Sequence, residues 1–260
     1  MPNTLSKSIV FIAGTFISND CWDEWKLYFE TKEYNCIAPC WPYKDDSSEE
    51  LRNKHPNSEI ASTRLDELID YFAIIANTFE EKPILIGHSM GGLIVQTLLQ
   101  QGLGTAGEAI HSFPPSGART FEFSFLKSWW QATGFFTSVR KSYMLSFKKW
   151  ANTVANGLTC EEQKQFYYKY AIPESKIIVR DAFRSGAKVN FKNQHAPLLL
   201  TSGSKDKIIS ATLNYNNYKK YEPGTSITNY KELKNHNHLV FDGAALKEEA
   251  EFIFSWLQGI

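Results

Sequence analysis

The 260-residue chain has no surplus of charge: 28 Lys and Arg stand against 28 Asp and Glu. Binding to nucleic acid or to an anionic membrane favours a basic excess, so neither partner is implied. Long apolar runs are also missing. Ile9-Val10-Phe11-Ile12-Ala13 is too short for a signal-peptide core or a bilayer span, and no later run is longer enough to cross. A cytoplasmic protein is expected. Cysteine is scarce: Cys21, Cys36, Cys40 and Cys160 do not make a disulfide framework in a chain of this length. Cys36 and Cys40 lack a second pair at metal-ligand spacing, so reduced, partly buried thiols are expected. There is no fixed-period repeat, no metal cluster of usable spacing and no phosphate-cradling glycine loop. No cofactor is implied.

What is present is alternation. Apolar runs at Ser8–Ala13, Asn35–Ala38, Ile84–Ile86, Ala109–Phe113, Pro197–Gly203 and, more weakly, Ile227–Tyr230 read as strands. Several are continuous rather than alternating, which suits strands covered on both faces. Between them, residues 22–29 fall at roughly helical spacing. Leu65, Leu68, Ile69, Phe72 and Ile75 mark one face of a helix drawn from Ser58 to Phe79. Leu93–Leu99 and Ala244–Leu257 complete the helical pattern. The fold class is α/β, with a mostly parallel central sheet and helices on both faces.

Residues 115–186 break this rhythm. They hold fifteen aromatics, eleven Lys or Arg and five Asp or Glu, a local net charge of +6. Ile177-Ile178-Val179 is the best strand candidate in them. The segment is expected to form a helical cap inserted into a core made of residues 1–114 and 187–260.

The chemistry centres on ILIGHSMGG, residues 84–92. A serine hydroxyl needs a neighbouring base before it can attack. A tight strand-to-helix turn would push Ser89 out of the sheet, and side chains at Gly87 and Gly91 would crowd that turn. The same turn aims the Met90 N–H and a helix N-terminus at the reaction centre, where they can stabilise an oxyanion.

Gly87-His88-Ser89-Met90-Gly91 after a strand resembles the nucleophile elbow of the α/β-hydrolase superfamily. The resemblance runs from Ile9 to Leu257 and is weakest in the cap. It implies a triad in the order serine, acid, histidine. Asp206, after Leu198–Gly203, matches the family's strand, glycine turn and aspartate; Asp181 and Asp242 fit the order badly. Two histidines follow, His236 and His238, which an extended chain would point the same way. The family's histidine is usually followed by an apolar residue, which favours His238-Leu239 and leaves His236 as the alternative. Ala13-Gly14-Thr15-Phe16 matches the loop that gives the second oxyanion donor, so Thr15 is expected there beside Phe16. Ala13 departs from the histidine usual at that place, which puts the loop's geometry in question. Of the other histidines, His55 reads as a solvated loop residue, His111 and His195 as strand-end residues, and His88 as a buried elbow residue facing away from Ser89.

These readings point to a serine hydrolase acting on a carboxylic ester or thioester, with an amide also open. Trp129, Trp130, Phe135 and Phe136 join Phe16 as candidate substrate-binding residues for an apolar or aromatic acyl group. The basic cap suits an acidic partner such as an acyl carrier protein, although Arg140-Lys141 and Lys148-Lys149 read first as solvated faces. The same fold hosts acyltransferases, lyases, cyclases and slow-turnover ligand receptors, and product analysis separates them.

Overall fold

The computed structural model describes residues 6–118, 129, 132–134, 137–184, 187–224, 226–241 and 243–260. Six strands form one sheet: β1 (Ser8–Ile12), β2 (Asn35–Ile37), β3 (Ile84–His88), β4 (Ala106–Ile110), β5 (Leu198–Gly203) and β6 (Thr228–Leu233). Their order is β2-β1-β3-β4-β5-β6, and every adjacent pair is parallel. Strands β3, β4 and β5 are buried along their whole length, as expected where helices cover both faces. Chain order reverses between β1 and β3, which are neighbours in register from Ile9↔Ile84 to Ile12↔Gly87. In open parallel sheets the crevice beyond the strand ends at such a reversal is where ligands bind.

The helices are α1 (Asp23–Glu30), α2 (Ser48–Asn53), α3 (Ser58–Ser62), α4 (Leu65–Asn77), α5 (Met90–Gln100), α6 (Phe147–Thr153), α7 (Cys160–Tyr170), α8 (Lys176–Arg184), α9 (Ala211–Tyr218) and α10 (Gly243–Gln258). Buried aromatics bind α1 to the sheet. Phe11 of β1 lies 4.9 Å from Trp22, which packs edge-on against Trp25 and Phe241. The Trp25 indole donates to the Val240 carbonyl at 2.9 Å, so this cluster also fixes the chain just after His238.

Several sequence expectations need correction. The helix drawn from Ser58 to Phe79 is two helices. Thr63 and Arg64 are extended, Ser175 Oγ bonds the Ala61 and Thr63 carbonyls, and Glu67 accepts from the Arg64 N–H to start α4. Strand β4 lies at Ala106–Ile110 and not at Ala109–Phe113. Its sequence is AGEAI, and buried Glu108 is accommodated by the Thr201 hydroxyl at 2.9 Å. Ile177-Ile178-Val179 is helical, because Ser175 caps α8 and Ile178 and Val179 are buried on one of its faces. His55 is only partly exposed, with Nδ1 2.8 Å from the Ser142 hydroxyl. Lys149 is half-buried and lines a pocket, unlike exposed Lys148.

The cysteines are unpaired: Cys21 is buried, Cys36 and Cys40 are intermediate and Cys160 is exposed. Burial pushes the Cys36 thiol up to about 12, against the behaviour of a reactive thiolate. Among the described residues, no helix is long and apolar enough to cross a membrane.

Candidate active site

Residues from five strand ends meet at the same edge of the sheet. Thr15 follows β1, Ser89 follows β3, His111 follows β4, Asp206 follows β5 and His238 follows β6. Ser89 holds a left-handed φ of 56° with ψ of −115°, a conformation a non-glycine residue adopts only when its surroundings impose it. The surroundings do. Its N–H donates to the Ile110 carbonyl, and its own carbonyl accepts from Gly92 and Phe113. A Cβ on Gly87 would stand 2.3 Å from the Gly91 carbonyl oxygen, and one on Gly91 would stand 2.1 Å from that of Ile12. Neither backbone can give way, so both glycines are steric requirements of the turn. Met90 opens α5, where the first N–H groups have no intrahelical acceptor.

The two histidines are separated by the chain's path. An extended backbone would have aimed both the same way. Instead the backbone bends between them, where the Asn237 side chain accepts the Leu239 N–H at 2.8 Å. His238 Nδ1 lies 2.6 Å from Asp206 Oδ2, whereas His236 Nε2 lies 3.1 Å from Glu248 and its Nδ1 3.7 Å from Glu249. Asp206 is anchored through its other oxygen by the N–H groups of Ile208 and Ile209 at 2.7 and 2.9 Å. Burial would raise the Asp206 carboxyl, but the charge and hydrogen bonds of His238, with those of His111, outweigh it and hold it well below the carboxylate range. Asn156, from the segment between β4 and β5, ties the two loops together. Its side-chain Nδ2 donates to the Lys205 carbonyl at 2.9 Å, and its backbone carbonyl accepts from Asn237 Nδ2 at 2.8 Å.

Ser89 and His238 line one narrow pocket with Thr15, Phe16, Ile17, Trp129, Leu145 and Ile208 among others, with a free volume of about 30 Å³. Ser89 and His238 are otherwise buried, 2% and 3% exposed. Of the aromatic candidates, Phe16 and Trp129 lie in the lining, 6.4 Å apart by ring centroid. Trp130, Phe135 and Phe136 lie outside the described residues, as does Asp242. Asp181 sits on α8 and pairs with Arg64 at 3.3 Å, away from the histidines.

Sequence reasoning missed His111, whose Nδ1 is 3.4 Å from Asp206 on a residue with φ 44°. A strand-end position was its one legible signal. His88, His111 and His238 bring ring nitrogens within 4.8 Å of one another. Two of these rings are already committed, His88 through Nε2 to the His238 carbonyl at 2.9 Å and His238 through Nδ1 to Asp206. The three rings are tilted against one another by 44–55°, and those two commitments leave fewer nitrogens free for a metal. His88 packs 4.5 Å from the His238 ring, closer to the site than a residue facing away would be.

Burial, then repulsion from His238 and His111, pushes His88 well below the ordinary imidazole value of 6.5. The unfolded chain therefore binds a proton that folded His88 refuses, and stability should fall as pH drops below about 6.5. For His236 burial acts downward, but Glu249 and Glu248 outweigh it and raise the ring, so His236 adds stability at low pH. Urea midpoints between pH 5 and 8 should thus decline on the acid side less steeply in His88→Gln and more steeply in His236→Asn than in the parent.

Residues 9–251 match the profile of a family described as the Alpha/beta hydrolase family. Comparison with curated proteins finds no match. Among solved structures, a histidine-to-alanine variant of tomato methylketone synthase I complexed with beta-ketoheptanoate is similar over 98% of this chain and 99% of its own. Identity there is 11% and the TM-score 0.71. An extracellular alpha/beta-hydrolase from a Paenibacillus species covers 95% of this chain and 98% of its own at 18% identity and TM-score 0.67. A methylesterase from Arabidopsis covers 97% and 99% at 12% identity and the same TM-score, 0.67. At these identities the likeness is one of fold.

Proposed function

Given that the chain belongs to the α/β-hydrolase family, we propose that it is a serine hydrolase cleaving a carboxylic ester or thioester through an acyl-enzyme on Ser89. The observation that supports this most is a conjunction. A serine in a strained strand-to-helix turn shares a pocket with a histidine whose other nitrogen is 2.6 Å from a buried aspartate.

In this reading Ser89 Oγ attacks the substrate carbonyl while His238 Nε2 takes its proton. Asp206 fixes the tautomer that leaves Nε2 free to accept and stabilises the imidazolium that forms. The Met90 and Thr15 N–H groups receive the oxyanion. His238 then protonates the departing alkoxide or thiolate, and water, deprotonated by the same ring, releases the acid. The segment between β4 and β5 acts as a cap, and its Trp129 and Leu145 give the pocket an apolar wall suited to an apolar or aromatic acyl group. Within that segment Lys176 and Arg180 are turned inward to Thr133, Gly134, Thr137 and Ser138, so the sequence's cationic surplus is only partly presented to solvent.

Product analysis tests the reaction class. A p-nitrophenyl ester or an acyl thioester should yield acid and leaving group in equal amounts, at a steady rate. Acyl groups recovered only on an added alcohol or amine would make the protein a transferase. One burst followed by negligible turnover would make it a receptor.

A further inference from the structure

The loop that carries Thr15 lacks the histidine usual after the first strand in the family it resembles, with Ala13 in that place. Another device holds it. Phe16, next to Thr15, has a left-handed φ of 67°, and its N–H donates to Glu174 Oε2 at 3.3 Å. The same carboxylate oxygen accepts Lys44 Nζ at 2.6 Å, and its partner oxygen accepts the Ser175 N–H at 2.8 Å. Glu174 is fully buried, and Lys44 is 5% exposed with its ammonium 4.2 Å above the Trp41 ring. Backbone bonds continue the seam. The Phe16 carbonyl accepts the Ile172 N–H, and Ser18 donates to the Tyr170 carbonyl. Glu174 exchanges both backbone bonds with Tyr143, whose ring meets Phe16 edge-on.

We propose that the Lys44–Glu174 pair is a positioning device for the oxyanion loop: it sets Phe16, and through Phe16 the direction of the Thr15 N–H. The inference rests on Thr15 being an oxyanion donor, as read above. A buried ion pair is a poor source of stability, because the cost of desolvating both charges offsets their attraction. Burial indeed acts to lower the Lys44 ammonium, with Glu174 opposing it. What the pair supplies is geometry. One carboxylate ties three separate chain segments, at 16, 44 and 174–175, to a single point.

The test is the double variant Lys44→Met with Glu174→Leu, compared with the parent and with Ser89→Ala. Replacing both charges by apolar groups keeps the site filled and loses little from the ion pair itself, but it leaves the Phe16 and Ser175 N–H groups without their acceptor, so the melting temperature should fall by about 5–15 °C with the chain still folded at 25 °C. The loop loses its anchor, so kcat should fall about 10²-fold with KM nearly unchanged, since the oxyanion contact acts in the transition state. Affinity for a trifluoromethyl ketone, which forms a tetrahedral adduct on serine, should fall by a similar factor. Parental kcat and ketone affinity in the double variant would overturn the inference, leaving the pair as packing alone. If that variant does not fold, Glu174→Gln serves. An amide can no longer accept at both ends, so about a 10-fold fall in kcat is expected, and unchanged kcat would overturn the inference. Turnover surviving in Ser89→Ala would instead remove the hydrolase reading on which it rests.

Discussion

Ser89→Ala is expected to lower kcat by about 10⁶-fold, and His238→Ala by a similar factor, while His236→Ala stays within about tenfold of the parent. The first two losses should not add. A serine without its base and a base without its serine are equally unable to form the acyl-enzyme, so the double variant should be no worse than either single one. His236 offers the sharper contrast. It lies two residues from His238 and is as deeply buried, yet its ring faces Glu248 and Glu249 rather than Asp206. Its backbone carbonyl accepts from Lys205, a contact that alanine keeps. Initial rates on one p-nitrophenyl ester across the four variants would decide the assignment. A His236→Ala loss comparable to that of His238→Ala would mean that the base has been misidentified.

Asp206→Asn is expected to lower kcat by about 10⁴-fold with KM little changed. The carboxylate is at home in its pocket: two backbone N–H groups point at one oxygen and His238 at the other. An amide there keeps the shape but offers its NH₂ either to those N–H groups or to His238. Facing His238, it forces the proton onto Nε2, where it cannot accept from Ser89. Facing the backbone, it leaves donors opposed to donors. The loss should ease as pH rises toward values at which hydroxide or a deprotonated serine supplies the base. A loss under tenfold would show that another carboxylate serves, and buried Glu249, 3.8 Å from His111, is a candidate.

Much of this was legible in the sequence, for reasons that differ from residue to residue. The elbow could be read because its steric demand is local: a turn that tight needs glycine at 87 and 91, and the Cβ distances bear this out. The β1, β3 and β5 strands could be read because burial on both faces leaves unbroken apolar runs. β4 was misplaced by three residues because it carries Gly107 and Glu108, and what rescues Glu108 is Thr201, 93 residues away. The break between α3 and α4 was hidden similarly, since Ser175 imposes it from a distant segment. Helix α2 had a signal that went unused. Ser47 and Glu50 form a capping box, and that spacing is visible in the sequence.

At the site, Ser89 and Asp206 could be named as candidates from motif and order. The choice between His236 and His238 depends on a bend around Asn237 that no periodicity announces. His111 and the Lys44–Glu174 pair were beyond reach, because Lys44 and Glu174 are 130 residues apart and each alone looks like a surface charge.

The central claim is that Ser89 is a nucleophile activated by His238, and intact-protein mass spectrometry after treatment with a fluorophosphonate tests it most directly. One adduct is expected on the wild-type chain, mapped to Ser89, absent in Ser89→Ala, strongly slowed in His238→Ala and retained in His236→Ala. An adduct that persists in Ser89→Ala, or labelling that is lost with His236 and kept without His238, would contradict the claim.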